Sequence, residues 1–342
     1  MKKRKNKIQA IDFFCSGGGV TCGFKLAGID VIGGIDIDSS CKETYEINNN
    51  AKFLTADIST LPLSALKEKF GIRRNQRNLI FVGCSPCQYY SNIQTDKTKS
   101  NSSRLLLDDF QKFVEYYRPG YLFIENVPGF ESKQHSPLSK FKNKIIELGY
   151  TFDSCILNAK DFGVPQNRRR FILIATRLRK DIRLPKPLNE FKTVHDAIGN
   201  KKKFPRIKAG YTDSSQRIHT SASLSKLNLE RIKNTPANGG DRRNWDDRLC
   251  SESYLQKKSH YDVYGRMSWH KPAPTITTRF NSYSNGRFGH PTQNRAISLR
   301  EGATLQSFPY NYSFRSTSKN MIAKMIGNAV PPLFAKEIAK SF

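Results

Sequence analysis

Residues 11–19 read Ile11-Asp12-Phe13-Phe14-Cys15-Ser16-Gly17-Gly18-Gly19. An apolar run passes straight into three glycines, and Gly23 follows about one helical turn later. This pattern predicts a strand, a tight turn and the opening of a helix. Glycines let the backbone approach a bound group closely, and a helix N-terminus offers N–H groups without intrahelical partners. A turn of this kind with no ligand is the plain alternative.

The rest of the first half repeats the theme. Apolar runs at 8–14, 31–37, 52–56, 79–82, 121–125, 152–157 and 170–175 predict strands. Amphipathic stretches at 61–70, 105–117 and 137–148 predict helices between them. Alternating β and α elements imply an α/β fold with a doubly wound, mostly parallel sheet. Ligands in such sheets sit beyond the carboxyl ends of the strands. Two acids fall there: Asp36 ends the second strand, 19 residues after Gly17, and Asp57 ends the third. An acid after strand two suits ribose hydroxyls, and one after strand three suits an adenine amino group. Together they predict a nucleoside cofactor. The residues alone leave NAD and an adenosyl group open, although the GxGxxG spacing of dinucleotide sites is absent.

From about Leu188 the composition shifts to Lys, Arg, Asn, Ser and Gly with short apolar stretches. We therefore expect a larger domain from 1–187 and 312–342 and a smaller, irregular one at 188–311. Helical periodicity returns after Lys319, and Pro331-Pro332 is well placed to open a last helix.

The chain has 342 residues and a formal net charge of +28, so a polyanion is the natural partner. No apolar run approaches the ~20 residues of a membrane helix. No secretory signal pattern is seen, which places the expectation in the cytoplasm. The cysteines number seven, an odd count that argues against a disulfide framework. Cys84-x-x-Cys87 has no second half at finger spacing, so no metal is expected.

Two turns carry the chemistry. Residues 83–91 read GCSPCQYYS and residues 123–130 read FIENVPGF. Each follows a short apolar strand, so one parallel sheet would bring a thiol, Cys87, and an acid, Glu125, to the same rim. With these the chain resembles the DNA (cytosine-5)-methyltransferases of bacterial restriction–modification systems. The resemblance spans nearly the whole chain in the family's motif order. It runs through Asp12–Gly19, Asp36, Asp57-Ile58, Pro86-Cys87-Gln88, Glu125-Asn126-Val127, Gln166-x-Arg168-x-Arg170, Arg295–Pro309 (RAISLREGATLQSFP) and Gly327-Asn328-Ala329-Val330-Pro331-Pro332.

The resemblance implies a Rossmann-like fold and S-adenosyl-L-methionine as methyl donor. It implies that the Cys87 thiolate adds to carbon 6 of a flipped-out cytosine. It also implies that Glu125 stabilises charge at ring nitrogen 3, and that Arg168, with Arg170 beside it, holds that acid and the cytosine carbonyl. Cofactor contacts carried over are Phe14, Ser16, Gly17, Gly18, Gly19, Asp36, Ile37, Asp57, Ile58, Pro86, Leu107, Asn328 and Val330. The polar stretch 89–104 resembles the family's mobile loop, with Arg104 on a DNA phosphate. Residues 188–311 would recognise double-stranded DNA, with Arg242, Arg243, Arg266, Arg279, Asn281 and Arg287 as candidate base readers. A monomer is expected, with a restriction endonuclease acting on the same site as its counterpart.

Three departures stand out. Ser16 replaces the first glycine of the cofactor turn. Cys84-Ser85 replaces Gly-Pro before the reactive Pro-Cys, and Tyr89-Tyr90 replaces the usual pair after Gln88. An RNA methyltransferase of the same chemistry, a catalytically silent nucleic-acid-binding protein and an NAD-dependent oxidoreductase are the rival readings.

Overall fold

The computed structural model describes residues 7–86, 105–132, 136–188, 190–215, 218–251 and 262–342. They form two compact units. The first comprises 1–158, 169–187 and 332–342, and the second 159–168 and 188–331.

The first unit is built on seven strands: β1 (Gln9–Phe13), β2 (Asp30–Asp36), β3 (Lys52–Thr55), β4 (Leu79–Gly83), β5 (Tyr121–Asn126), β6 (Thr151–Asn158) and β7 (Arg169–Thr176). Their order is β3-β2-β1-β4-β5-β7-β6. The first five run parallel, and β7 is antiparallel to both its neighbours. All seven predicted strands are present. β4 is buried at every position, the signature of an interior parallel strand covered on both faces.

Five helices matter for the site: α1 (Gly19–Leu26), α2 (Lys42–Asn49), α3 (Ala65–Phe70), α4 (Leu106–Tyr117) and α5 (Leu138–Glu147). α3 begins later than its apolar pattern suggests, because Ala65 N–H closes a turn onto the Pro62 carbonyl. α4 buries Leu107, Phe110, Phe113, Val114 and Tyr117, the i, i+3, i+4 stripe of a core-facing helix. Phe13 of β1 meets Phe81, Phe110 and Phe113 with ring centroids 5.0–5.6 Å apart. This aromatic knot holds the centre of the sheet.

Three further helices, α6 (Lys226–Lys233), α7 (Leu299–Leu305) and α8 (Lys319–Asn328), lie in the second unit. The last, α9 (Pro332–Ala339), returns to the first unit and opens on the predicted proline. It packs on α1, where a Cβ on Gly23 would lie 2.3 Å from the Pro332 carbonyl oxygen. Only glycine permits that approach.

Among the described residues, the second unit has isolated bridges instead of strands. Its core joins Ile232, Trp245, Leu249, Tyr264, Tyr283 and Ala296. Arg266 crosses it, 3% exposed, donating to the carbonyls of Ile232, Thr235, His290 and Gln293 and to Asn294 Oδ1. Residues 312–331 lie in this unit, beyond the expected boundary at 311. Tyr312 packs tilted and Phe314 edge-on against Phe308, and Gln306 Nε2 donates to the Ile326 carbonyl.

Candidate active site

The carboxyl ends of the five parallel strands collect most of the residues singled out in the sequence. Phe14 follows β1 at φ +62°, and Ser16 sits at φ +45°. Gly18 at φ +86° then caps α1 without any side-chain cap. The left-handed region is costly for any residue with a Cβ, so Phe14 and Ser16 store strain in this turn. Asp36 ties the turn to β2, its Oδ2 accepting from Ser16 N–H at 2.8 Å and its Oδ1 from Asp38 N–H at 2.9 Å. Ser16 therefore uses its backbone where the family's glycine would stand.

Beneath the turn, Asp12 is buried, with Oδ2 accepting from Thr21 Oγ1 at 2.7 Å and Oδ1 unpartnered. Thr21 Oγ1 in turn lies 3.0 Å from the Tyr45 hydroxyl. Burial pushes the Asp12 carboxyl up to about 7. The same burial pushes the neighbouring Cys15 thiol well above its ordinary value, which makes it a poor nucleophile.

Ile37, beside Asp36, is 68% exposed, an apolar face open at the rim. Asp57 is exposed and closes a turn onto Ser59 N–H and Oγ. Those bonds hold its carboxyl below the usual range. Ile58 is buried behind it, and Leu107 packs in the core at the opening of α4. Pro86 is exposed after β4. An uncapped helix N-terminus suits a carboxylate, Asp36 suits a ribose, and Ile37 suits a purine face. The donor set thus fits S-adenosylmethionine.

At the end of β5, Glu125 is 8% exposed, and its Oε1 meets Arg170 Nε at 2.9 Å. Sheet register explains the pair. Glu125 lies opposite Ile172 on β7, so Arg170, two residues along, projects from the same face and reaches it diagonally. The expectation assigned this bond to Arg168; Arg170 makes it. Arg168 lies before β7, in the second unit, and its guanidinium donates to the Ile276 and Gly327 carbonyls. It thereby holds the turn carrying Asn328, exposed, and Val330, buried. Arg169 is exposed.

Asn126 was not singled out for its side chain, yet it links two strand ends. Its Nδ2 donates to Ser85 Oγ at 3.3 Å and to the Ser85 carbonyl at 3.5 Å, while Oδ1 accepts from Val127 N–H. The Ser85 hydroxyl exists only because of the Cys84-Ser85 departure. Cys87 and Arg104 lie outside the described residues.

Among the candidate base readers, Arg266 is consumed by the core bonds above. Arg287 donates to the Gly239 carbonyl and pairs with Asp241 and Asp262. Arg242 is buried and Asn281 half-buried, whereas Arg243 is 64% exposed and Arg279 is exposed. Arg266 is thus corrected to a structural residue, since a guanidinium whose N–H donors are spent on five internal acceptors has none left for a base.

A doubly wound sheet with acids at successive strand ends and an ion-paired glutamate at the fifth defines the S-adenosylmethionine-dependent methyltransferase class. Residues 8–342 match the family model of C-5 cytosine-specific DNA methylases, and the chain belongs to that family. It is 36% identical over 340 residues to the Type II methylase M.HgiDII of Herpetosiphon aurantiacus, covering 97% of this chain and 94% of that protein. It is 31% identical over 339 residues to the Type II methyltransferase M1.HphI of Haemophilus parahaemolyticus, with 98% and 86% covered. Among solved structures, a putative DNA modification methyltransferase encoded within an E. coli prophage shares the fold, with a TM-score of 0.74 at 23% identity and 98% of each chain covered. A DNMT2 variant from Spodoptera frugiperda does so at 0.64 and 17%, with 97% of this chain and 98% of that one covered.

Proposed function

We propose that the protein methylates carbon 5 of a flipped-out cytosine in a specific duplex sequence, as the modification enzyme of a type II restriction–modification system. The observation that carries this reading is the Glu125–Arg170 pair at the carboxyl rim, on the strand next to the one that leads into Pro86-Cys87. Carbon 5 of cytosine is a poor nucleophile. Addition of the Cys87 thiolate to carbon 6 makes it an enamine, and negative charge builds toward nitrogen 3. Glu125 would supply a proton or hydrogen bond there, oriented by Arg170. Bound S-adenosylmethionine supplies an electrophilic methyl group. Phe14, Ser16, Gly17–Gly19, Asp36, Ile37, Asp57, Ile58, Pro86 and Leu107 would hold it, with Asn328 and Val330 at its methionine end. Loss of the carbon-5 proton then expels Cys87.

The second unit would read the target, and Arg104 would contact a phosphate. The enzyme would act as a monomer in the cytoplasm, opposite an endonuclease of the same specificity. No helix among the described residues is long and apolar enough to cross a membrane.

The test is covalent trapping on duplexes carrying 5-fluorocytosine with S-adenosylmethionine present. Fluorine cannot leave as the proton does, so wild type should stay attached and Cys87→Ser should not. An adduct on transfer RNA and none on a random duplex pool would replace the DNA substrate with RNA. No adduct on either would leave a silent binding protein.

A further inference from the structure

The sheet of the first unit has a second edge. Loop 71–78 precedes β4, residues 118–120 precede β5, and residues 177–180 follow the antiparallel β7, so all three lie at the amino ends of the parallel strands. They interlock. Asn75 N–H donates to the Tyr117 carbonyl, and Gly120 N–H to the Gln76 carbonyl. Arg177 donates from Nε to the Arg118 and Pro119 carbonyls and from Nη2 to the Asn75 carbonyl. Arg74 Nε binds the Tyr116 carbonyl and stacks 4.8 Å above the Tyr116 ring. Arg179 Nη2 binds the Ser341 carbonyl.

Arg73, Arg74, Arg77, Arg118, Arg177 and Arg179 are thus gathered on one edge. Among the described residues none of them forms an ion pair. Asp30 accepts from Gln9, and Asp181 lies against Arg183. The helical faces of the same unit are mixed. There Lys112, Lys140, Lys142, Lys144 and Lys340 each meet a carboxylate within 3.5 Å, while Lys25, Lys42, Lys67, Lys69 and Lys336 form no ion pair among the described residues. What sets the amino edge apart is that its cations are mostly arginines and that four of them, Arg74, Arg118, Arg177 and Arg179, are fixed by backbone carbonyls. The exposed Arg73, Arg77 and Lys180 stand beside them. Fixed, weakly hydrated guanidiniums are the groups best suited to phosphate oxygens.

We propose that this amino edge is a second polyanion-binding surface, and that its partner is the phosphate backbone of duplex DNA outside the target site. The choice of DNA rests on the proposed function. The strands rise about 3.3 Å per residue, so five residues set the two edges roughly 15 Å apart. A phosphate held at the amino edge is therefore a different one from any at the catalytic rim. Such contacts would keep the enzyme on long DNA between sites without adding sequence information.

The test compares wild type with an Arg73→Gln/Arg77→Gln/Lys180→Gln variant, three side chains with no fold-holding bond. Each enzyme is first trapped on a short 5-fluorocytosine duplex, and a fluorescent duplex lacking the target is then added. Wild type should bind it, more weakly as salt rises. The variant should bind at least tenfold more weakly with a salt slope lower by about two to three, at nearly one unit per phosphate contact. Trapping and turnover on the short duplex should be equal for both. Equal second-duplex binding, or none by the trapped wild type, overturns the proposal. If trapping itself fails, the two free enzymes are compared on the target-free duplex, where equal affinity and slope overturn it equally. Tighter binding of duplex RNA than DNA of the same length would overturn the assigned partner. An Arg73→Lys/Arg77→Lys variant should bind like wild type, separating charge from misfolding.

Discussion

Two glutamate–arginine pairs lie in the two units, and they are built to opposite ends. Glu301 and Arg295 are 0% and 1% exposed, joined by two parallel bonds of 2.7 Å. Ser298 N–H adds a third bond and completes a capping box on α7. Glu125 and Arg170 sit at a rim and share one contact of 2.9 Å. The first carboxylate spends three hydrogen bonds on its own chain; the second has one charged contact and keeps capacity for another molecule. Three hydrogen bonds inside the fold mark a structural pair, and a single ion-pair contact at a strand end marks one held ready for chemistry.

The largest expected effect tests the ready pair. Glu125→Gln should lower kcat by roughly 10²–10⁴, the range of general acid catalysis, with the thermal midpoint nearly unchanged. Steady-state methylation and thermal unfolding on one preparation check both halves. A variant that loses stability as well as rate would make Glu125 another structural glutamate.

Glu301→Ala should do the reverse. It leaves Arg295 charged and buried, at a cost of about 3–5 kcal/mol. Urea unfolding should show it, with soluble yield falling. Acid should reveal the same pair in wild type. Burial pushes the Glu301 carboxyl up, but the charge and hydrogen bonds of Arg295 outweigh this and hold it at about 2, against 4.5 ordinarily. Its contribution is therefore complete above about pH 4.5 and lost as pH falls toward 2. Burial holds His290 near 3 against 6.5, so the unfolded chain takes a proton below pH 6.5 that the fold refuses. His290 weakens the fold below about pH 6.5 and Glu301 only below about pH 4.5, so the gap in urea midpoint between wild type and Glu301→Ala should narrow between about pH 5 and pH 3. A gap that stays constant over that range would remove the distinction between the pairs.

A third carboxylate, Asp12, is buried like Glu301 but has no arginine. Its folded pKa of about 7 lies above the ordinary 3.8. The stability that depends on its proton is complete below about pH 3.8 and is lost as pH rises through 7. A neutral amide at this position mimics the protonated acid. Asp12→Asn should therefore stabilise the protein at pH 8 by roughly 2 kcal/mol, at about 1.4 kcal/mol per pKa unit with an allowance for relaxation. The gain should vanish below pH 4. A loss at pH 8 would mean the charged form is the native one.

The sheet was legible because buried parallel strands leave an unmistakable apolar run, and Pro332 announced the last helix. The rim residues were legible because strand ends and turn residues coincide at Asp36, Asp57 and Glu125. What escaped was long-range. The choice of Arg170 over Arg168 depends on the register of β5 against an antiparallel β7, which no local pattern encodes. Arg266 looked like a base reader because an arginine in an irregular, basic stretch gives no sign that five acceptors enclose it. The grouping of 312–331 with the second unit rests on rings and carbonyls that meet only in three dimensions.

The smallest effect sharpens the ready side of the comparison. Ser85 stands where the family pattern has proline, and Asn126 reaches its hydroxyl at 3.3 Å and its carbonyl at 3.5 Å. These are long bonds, and a neutral hydrogen bond nets only about 0.5–1.5 kcal/mol. Ser85→Ala removes the hydroxyl and keeps the carbonyl, so Asn126 retains one partner. The expected loss in kcat is therefore tenfold or less, with KM for DNA and the thermal midpoint unchanged. The pH–rate profile should keep its shape, because a group that only positions Pro86 and the residue after it contributes no titration of its own. A loss rivalling that of Glu125→Gln, or a shifted profile, would place the Ser85 hydroxyl in the reaction. The rim would then owe its chemistry to three side chains rather than to one oriented pair.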